Sequence, residues 1–302
     1  MNRLVSASKP LLKECSRHRS DDGTVKVLWS LHDGHRIESV VIHHSSRRPT
    51  LNPDRMTLCV SSQAGCAMGC GFCFTARQNL TRNLTEGEIL GQISELSTEF
   101  PITNLVFMGM GEPLHNFDHV TGACRELLNR DHSPFSRRKI LISTSGLVPG
   151  IRKLADQAPV RLAVSLNASN DETRSRLMPV NRKWGIEELL AAAEEHARRV
   201  RMPAMLEYVL IRDVNDLLED AARLRVLAQD RPFQVNLIPF NEFSESEFKR
   251  PDAARIKAFQ HHLVSQGITT TVRFSGGNDI LAACGQLTGR AASGEQQHHA
   301  VL

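Results

Sequence analysis

Aromatic residues are few in this chain, with one Tyr and two Trp among 302 residues. Their scarcity excludes a base-stacking platform made of many rings and suits an aliphatic interior of sheet and helix. No run of about 18 apolar residues occurs, nor an apolar signal-peptide core near the N-terminus, which predicts a soluble cytoplasmic protein with no membrane association. Charge of neither sign dominates. The 37 basic and 33 acidic residues leave a net +4, which permits a nucleic-acid partner without requiring one. The seven cysteines are an odd number at irregular spacing. They make no disulfide framework and fit a reducing compartment, where thiols serve as ligands and catalysts.

Three of the cysteines stand together. Cys66, Cys70 and Cys73, in the run Cys-Ala-Met-Gly-Cys-Gly-Phe-Cys, have gaps of three and two residues and can supply three thiolates to one metal centre. Gly69 and Gly71 free the backbone to curl around it. A zinc site or a simple ferredoxin would bring a fourth ligand nearby, either a second Cys pair or a His pair at ligand spacing, and neither is present. Cys124 falls in a helical pattern and Cys15 lies far upstream, so both read as bystanders. A 4Fe–4S cluster on three thiolates keeps one iron open to a small molecule, which means chemistry; the alternative is a structural zinc knuckle or inert surface thiols.

Alternating apolar residues at 25–30 and 36–43, on either side of His32-Asp33-Gly34, predict a β-hairpin ahead of the cysteines. From there strand and helix patterns alternate. Strands are expected at 57–60, 104–108, 139–143, 161–165, 205–211, 234–238 and 270–274. Helices are expected at 86–100, 118–129, 186–200, 216–228 and 251–266, with Thr85, Asn116 and Asn215 as N-caps. Such alternation implies parallel strands with crossover helices, an α/β chain folded as a partial (β/α)6 barrel. The expected organisation is an N-terminal extension over 1–50, the barrel over 51–288 and a disordered tail over 289–302.

In a barrel of this kind reactive groups collect where strands end and loops begin. The unusual residues of this chain do so: the cysteine loop follows the first expected strand, and Gly109-Met110-Gly111-Glu112-Pro113 the second. Ser143-Thr144-Ser145-Gly146 follows the third, Ser165-Leu166-Asn167 the fourth and Pro239-Phe240-Asn241 the sixth. Glu112 could accept the ammonium hydrogens of an amino-acid moiety, while Ser143, Ser165 and Asn241 could bond ribose hydroxyls or carboxylate oxygens. Each taken singly is also an ordinary turn or cap device. Cys59 and Cys284 read from composition alone as small buried core residues, and Glu38 as part of a solvated strand face.

The cysteine triad, with Phe72 before its last member, resembles the signature of the radical S-adenosylmethionine (SAM) superfamily. The stretch from Thr57 to Cys66, the blocks 109–114 and 235–241, and Asp279-Ile280-Leu281-Ala282-Ala283-Cys284-Gly285-Gln286-Leu287 together resemble the RlmN/Cfr family of radical-SAM RNA methyltransferases. The likeness runs in order from Glu38 to Gly289. It implies a partial β/α barrel whose cluster is held by Cys66, Cys70 and Cys73, and two SAM molecules per turnover. It further implies methylation of carbon 2 or carbon 8 of an adenine, with 23S ribosomal RNA as the expected substrate. By this resemblance Cys284 carries the methyl group, Cys59 resolves the protein–RNA adduct through a disulfide, and Glu38 matches a proton acceptor. Gly111, Glu112, Ser143, Ser165, Leu166, Asn167 and Asn241 match cofactor-binding positions. A monomer served by an electron donor such as flavodoxin or ferredoxin is expected.

Departures from the family bear on the substrate. The region before Cys59 has little room for a helical accessory domain, Asn167 stands where the family has a histidine, and the loop before Cys284 reads Ser275-Gly276-Gly277-Asn278. Another RNA or a small aromatic substrate stays open, as does, in a different class, a non-catalytic iron–sulfur electron-transfer or RNA-binding protein. Phosphate contacts are expected among Arg47-Arg48, Arg137-Arg138-Lys139, Arg198-Arg199-Arg201 and Lys249-Arg250.

Overall fold

The computed structural model describes residues 11–44, 55–129, 131 and 133–289. Three antiparallel strands come first: β1 (Leu12–Arg19), β2 (Val25–Leu31) and β3 (Arg36–His44). The expected hairpin is β2–β3, and its edge is extended by β1, whose polar sequence carries only one fully buried residue, Leu12. β4 (Arg55–Cys59) pairs antiparallel with β3, Val40 opposite Cys59. The hairpin is therefore continuous with the sheet that follows.

After β4 the chain makes a small two-stranded ribbon, β5 (Gln63–Ala64) with β6 (Arg82–Asn83), and enters helix α1 (Glu86–Ser97). Thr85 and Glu88 form a reciprocal capping box that fixes this helix start. Strands and helices then alternate: β7 (Asn104–Phe107), α2 (Phe117–Leu128), β8 (Ile140–Thr144), α3 (Val148–Gln157) and β9 (Arg161–Ser165). There follow α4 (Asp171–Leu177), α5 (Ile186–Val200), β10 (Ala204–Leu210), α6 (Leu218–Ala228), β11 (Phe233–Pro239), α7 (Ala253–Ser265) and β12 (Thr270–Val272).

The ten-stranded sheet has the order β1-β2-β3-β4-β7-β8-β9-β10-β11-β12, and every pairing from β4 onward is parallel. Among the described residues β12 does not pair back to β1, so the barrel is open. Its centre strands are buried on both faces, which is why they read as near-continuous apolar runs; Leu105, Leu162, Leu206 and Leu237 have 0–1% exposure. The helices cover the outside through apolar stripes at helical spacing, such as Ile89, Ile93 and Leu96 of α1 and Ile186, Leu189, Leu190 and Ala193 of α5. Each buried Ile or Leu among these contributes about 1.5–3 kcal/mol by area.

Two expected caps act otherwise. Asn116 makes no cap bond; its amide donates to the carbonyls of Ser62 (2.8 Å) and Leu84 (2.7 Å). Asn215 precedes α6 without capping it: its amide donates to Asn167 O and Val209 O, and its Oδ1 accepts from Ile211 N. Both are buried, and a buried Asn is held by whatever backbone groups need partners, which here lie across the loops.

Candidate active site

The cysteine loop leaves the C-terminal end of β4 and turns under tight constraint. Gly65 has φ +81°, and a Cβ there would meet Asn79 O at 2.2 Å. Gly71 N donates to Leu177 O (2.9 Å), Cys73 N to Cys70 O (3.1 Å) and Phe74 N to Gly285 O (2.7 Å). The loop is thereby stitched both to the end of α4 and to the segment that carries Cys284.

Cys66, Cys70 and Cys73 line one cavity at the C-terminal ends of the barrel strands. Burial raises all three thiol pKa values, that of Cys66 to about 12. The charges of Cys73 and Cys66 push Cys70 up further, so the three sulfurs share one electrostatic environment. A buried trio of thiols that resist ionisation is unfavourable for free thiolates and suits bonding to a cationic centre. Among the described residues no three His, Cys, Asp or Glu side chains are grouped to hold a single metal ion. A cluster, whose thiolates bind different irons, needs no such convergence, and the set of three thiols fits one.

Most of the expected cofactor residues line the same cavity: Gly111, Glu112, Ser143, Ser165, Asn167 and Asn241. Gly111, at φ +99°, has no room for a side chain, since a Cβ would lie 2.4 Å from Gln63 Cβ. Glu112 is 3% exposed; its Oε1 accepts from Leu114 N (3.0 Å) and its Oε2 from Ser145 N (2.7 Å). Burial raises its pKa, and the Ser145 N–H works in the opposite sense. Lone pairs remain for an ammonium donor. Leu166 is the exception: its side chain is fully buried in the core and does not line the cavity. Asn167 holds a left-handed backbone (φ 56°), which Asn tolerates, and its Oδ1 accepts from Val209 N (2.8 Å), tying the loop after β9 to β10.

The structure adds three residues to which sequence reasoning gave no role, Ser145 having stood there only within its strand-end block. Ser145 lines the cavity with a buried Oγ that has no hydrogen-bond partner, an open polar site on the wall. Arg174, on α4, is fully buried and gathers the loops: it donates to Leu166 O (2.9 Å), Ser145 O (2.7 Å), Ser165 O (3.0 Å) and Asn181 Oδ1 (2.8 Å). Glu207, on β10, lines the cavity and accepts from Asn236 Nδ2 at 3.2 and 3.3 Å; burial raises its pKa. A charged residue inside an otherwise apolar central strand is the signal that could have found it.

Cys284 lines the main cavity and also a smaller neighbouring one, where it is joined by Cys59, Met108, Arg273 and Ser275. Cys59 is 7% exposed, and burial followed by the neighbouring Cys284 pushes its pKa up to about 12. Cys284 and then Glu207 favour the charged form of Arg273. Asn241 Nδ2 donates to Cys284 O (3.2 Å) and to Ser275 Oγ (3.0 Å). Glu38 lines neither cavity and is not on a solvated face. It is 1% exposed, pairs with Lys26 (3.2 Å), and its Oε2 accepts from Thr288 N (2.7 Å) and Gly289 N (2.9 Å).

The basic runs divide. Arg47 and Arg48 lie outside the described residues. Arg198 pairs with Glu194, Arg199 with Asp156 and Lys249 with Glu242, while Arg250 donates to Phe240 O and Asn241 Oδ1. Those charges are largely answered within the fold. Arg137, Arg138 and Lys139 are exposed before β8.

Residues 60–224 match the model of the radical SAM superfamily. The dual-specificity RNA methyltransferase RlmN of Geotalea uraniireducens is 49% identical over 271 residues, covering 90% of this chain and 77% of the relative. That of Geobacter sulfurreducens is 46% identical over 286 residues, covering 95% and 76%. Among solved structures, a radical SAM methyltransferase from Sphaerobacter thermophilus superposes with a TM-score of 0.86 at 42% identity, covering 93% of this chain and 82% of that one. Streptococcus suis SuiB, at 14% identity and a TM-score of 0.54, shares the fold alone. A three-cysteine cavity at the mouth of an open parallel barrel, and relatives 46–49% identical over nine-tenths of the chain or more, have one origin: this chain belongs to the RlmN family of the radical SAM superfamily.

Proposed function

We propose that this protein is a radical-SAM RNA methyltransferase that methylates carbon 2 or carbon 8 of an adenine in ribosomal RNA, working as a cytoplasmic monomer with a flavodoxin- or ferredoxin-type electron donor. No helix among the described residues is long and apolar enough to cross a membrane. The observation that carries the reading is the pair of outlying thiols, Cys59 and Cys284, on one small cavity that adjoins the cavity of the cysteine triad. Neither an electron carrier nor a simple RNA-binding protein has use for them.

Cys66, Cys70 and Cys73 would hold a 4Fe–4S cluster, which when bound supplies the electron for reductive cleavage of SAM. Glu112, Ser143, Ser145, Ser165 and Asn241 would orient the methionyl and ribosyl polar groups. Cys284 serves as the methyl carrier through its sulfur. In the release step the Cys59 sulfur bonds to that of Cys284 as the S–CH2 bond breaks, and the electron pair and a proton go to the methylene carbon, leaving a methyl group on the base. The raised pKa of Cys59 keeps its thiol protonated and unreactive until that step. For Glu38, the grip on Thr288 and Gly289 anchors the segment that bears Cys284, and this anchoring is the part of its proposed role that the geometry favours.

The test is an anaerobic reaction of reconstituted enzyme with protein-free ribosomal RNA, SAM and reductant, followed by mass mapping of the RNA. The expected result is a methyladenine made by the wild type and not by Cys284→Ala. No methylated fragment with the wild type would overturn the assignment.

A further inference from the structure

Three arginines gather on the inner side of the barrel sheet, Arg55 exposed and Arg161 and Arg273 half-buried, with few carboxylates to answer them. Side chains alternate along a strand, so residues two apart share a face. Cys59 and Ser165 face the cavities, which places Arg55, four residues before Cys59 on β4, and Arg161, four residues before Ser165 on β9, on the same inner face at the opposite end of their strands. His44, the residue paired with Arg55 across β3–β4, joins them, and Arg273 enters from the end of β12. Arg55 donates to Thr57 Oγ1 (3.2 Å), and Arg273 approaches Met108 Sδ at 3.9 Å; neither they nor Arg161 make an ion pair among the described residues. His44 Nε2 is buried without a partner. Glu207, near Arg273, is one carboxylate for three guanidiniums.

Like charges turned into one concave space raise the free energy of the unliganded protein. Burial lowers the pKa of Arg55, and the charges of Arg273 and Arg161 lower it further. Burial likewise lowers Arg161. His44 is pushed down to about 4, first by burial and then by Arg55 and Arg273. Three guanidiniums close enough to repel one another, with Glu207 beside Arg273 as their one carboxylate and Arg55 open to solvent, form a ready site for an external polyanion.

We infer that Arg55, Arg161 and Arg273, with the imidazole of His44 beside them as a neutral hydrogen-bonding group, form a cationic track on the inner barrel face that binds backbone phosphates of the substrate RNA flanking the nucleotide presented to Cys284. The inference rests on the RNA methyltransferase reading and adds the route: the polyanion is held from inside the barrel, below the cavity, and not only by the exposed clusters on the outer surface. Four strand residues span about 13 Å, several times the ~3.4 Å step of a stacked strand, so the track can reach phosphates beyond the target nucleotide. A small anion would engage one arginine; a polyanion engages the series.

The experiment measures RNA affinity of the cluster-loaded enzyme across a salt series, comparing wild type with the doubles Arg55→Gln/Arg161→Gln and Arg55→Lys/Arg161→Lys. Two phosphate contacts at about 0.7–0.9 each should take roughly 1.4–1.8 from the slope of log K against log salt, a loss of about 25–60-fold at 0.1 M salt. The Lys double should keep the slope. The Gln double should melt no lower than wild type, because a repulsion is removed. An unchanged slope in the Gln double overturns the track, and so does an equal loss in both doubles, which would mark a packing lesion. A wild type without salt-dependent RNA binding and without RNA methylation overturns the reading beneath it instead.

Discussion

Arg174 offers the sharpest test of how the cavity is held. Its guanidinium, fully buried, bonds the carbonyls of Ser145, Ser165 and Leu166 and the side chain of Asn181. Burial brings its pKa from 12.5 to about 10, which corresponds to roughly 3 kcal/mol against carrying the charge there. Four charge-assisted bonds at about 1.5 kcal/mol each contribute roughly 6 kcal/mol, so replacement by an apolar side chain of similar length should leave a net loss of about 3 kcal/mol. For Arg174→Met that means a fall in melting temperature of roughly 5 °C in a chain of this size. Because Ser145 and Ser165 sit on the cavity, SAM affinity should drop at least about tenfold, or ~1.4 kcal/mol. Arg174→Lys keeps the desolvation cost and loses the planar fork, so it should rescue neither quantity. Calorimetry and equilibrium dialysis read the two effects. A melting point within about 1 °C of wild type for both variants, with SAM binding intact, would refute the view that one guanidinium fastens these loops.

The cluster ligands and the outlying thiols should separate cleanly. Cys66→Ala, Cys70→Ala and Cys73→Ala should each abolish the brown iron–sulfur absorbance of anaerobically reconstituted protein and its SAM cleavage; a full spectrum in the triple variant would place the ligands elsewhere. Cys59→Ala should accumulate a covalent protein–RNA species through Cys284 on a denaturing gel, and normal turnover without that band would remove the resolving role. With a thiol pushed up to about 12, wild-type adduct release should speed roughly tenfold per pH unit from 7 to 9, and a flat profile in stopped-flow quenching would contradict thiolate attack.

What was legible in the sequence follows from where each residue's free energy is decided. The central strands are fixed by burial on both faces, so their apolar runs announced them, and Thr85 with Glu88 announced a helix start because a capping box is a local device. β1 escaped notice because it is an edge strand whose exposed side chains are charged, and α3 because Pro149 and Gly150 stand in its first turn. Asn116 and Asn215 were legible as polar residues before helices, but their partners, Ser62, Leu84 and Asn167, are remote in sequence. The cysteine triad and the cavity-lining Glu112, Ser143, Ser165 and Asn241 could be read because strand-end loops converge in a parallel barrel. The burial of Leu166 and the setting of Glu38 depend on distant packing, and no local pattern encodes either.

The stitching of the cysteine loop to the far end of the chain has a bearing on biosynthesis. Thr75 Oγ1 donates to Leu287 O (2.8 Å), a contact between residues 212 positions apart. At translation rates of about 5–20 residues per second, the loop emerges roughly 10–40 s before the strand of chain that will close over it. During that interval three soft thiols are presented on a nascent barrel without their cover. The same opening that leaves them exposed to oxidants also leaves them reachable by whatever delivers iron and sulfide, and closure by residues 284–288 sets the end of that window.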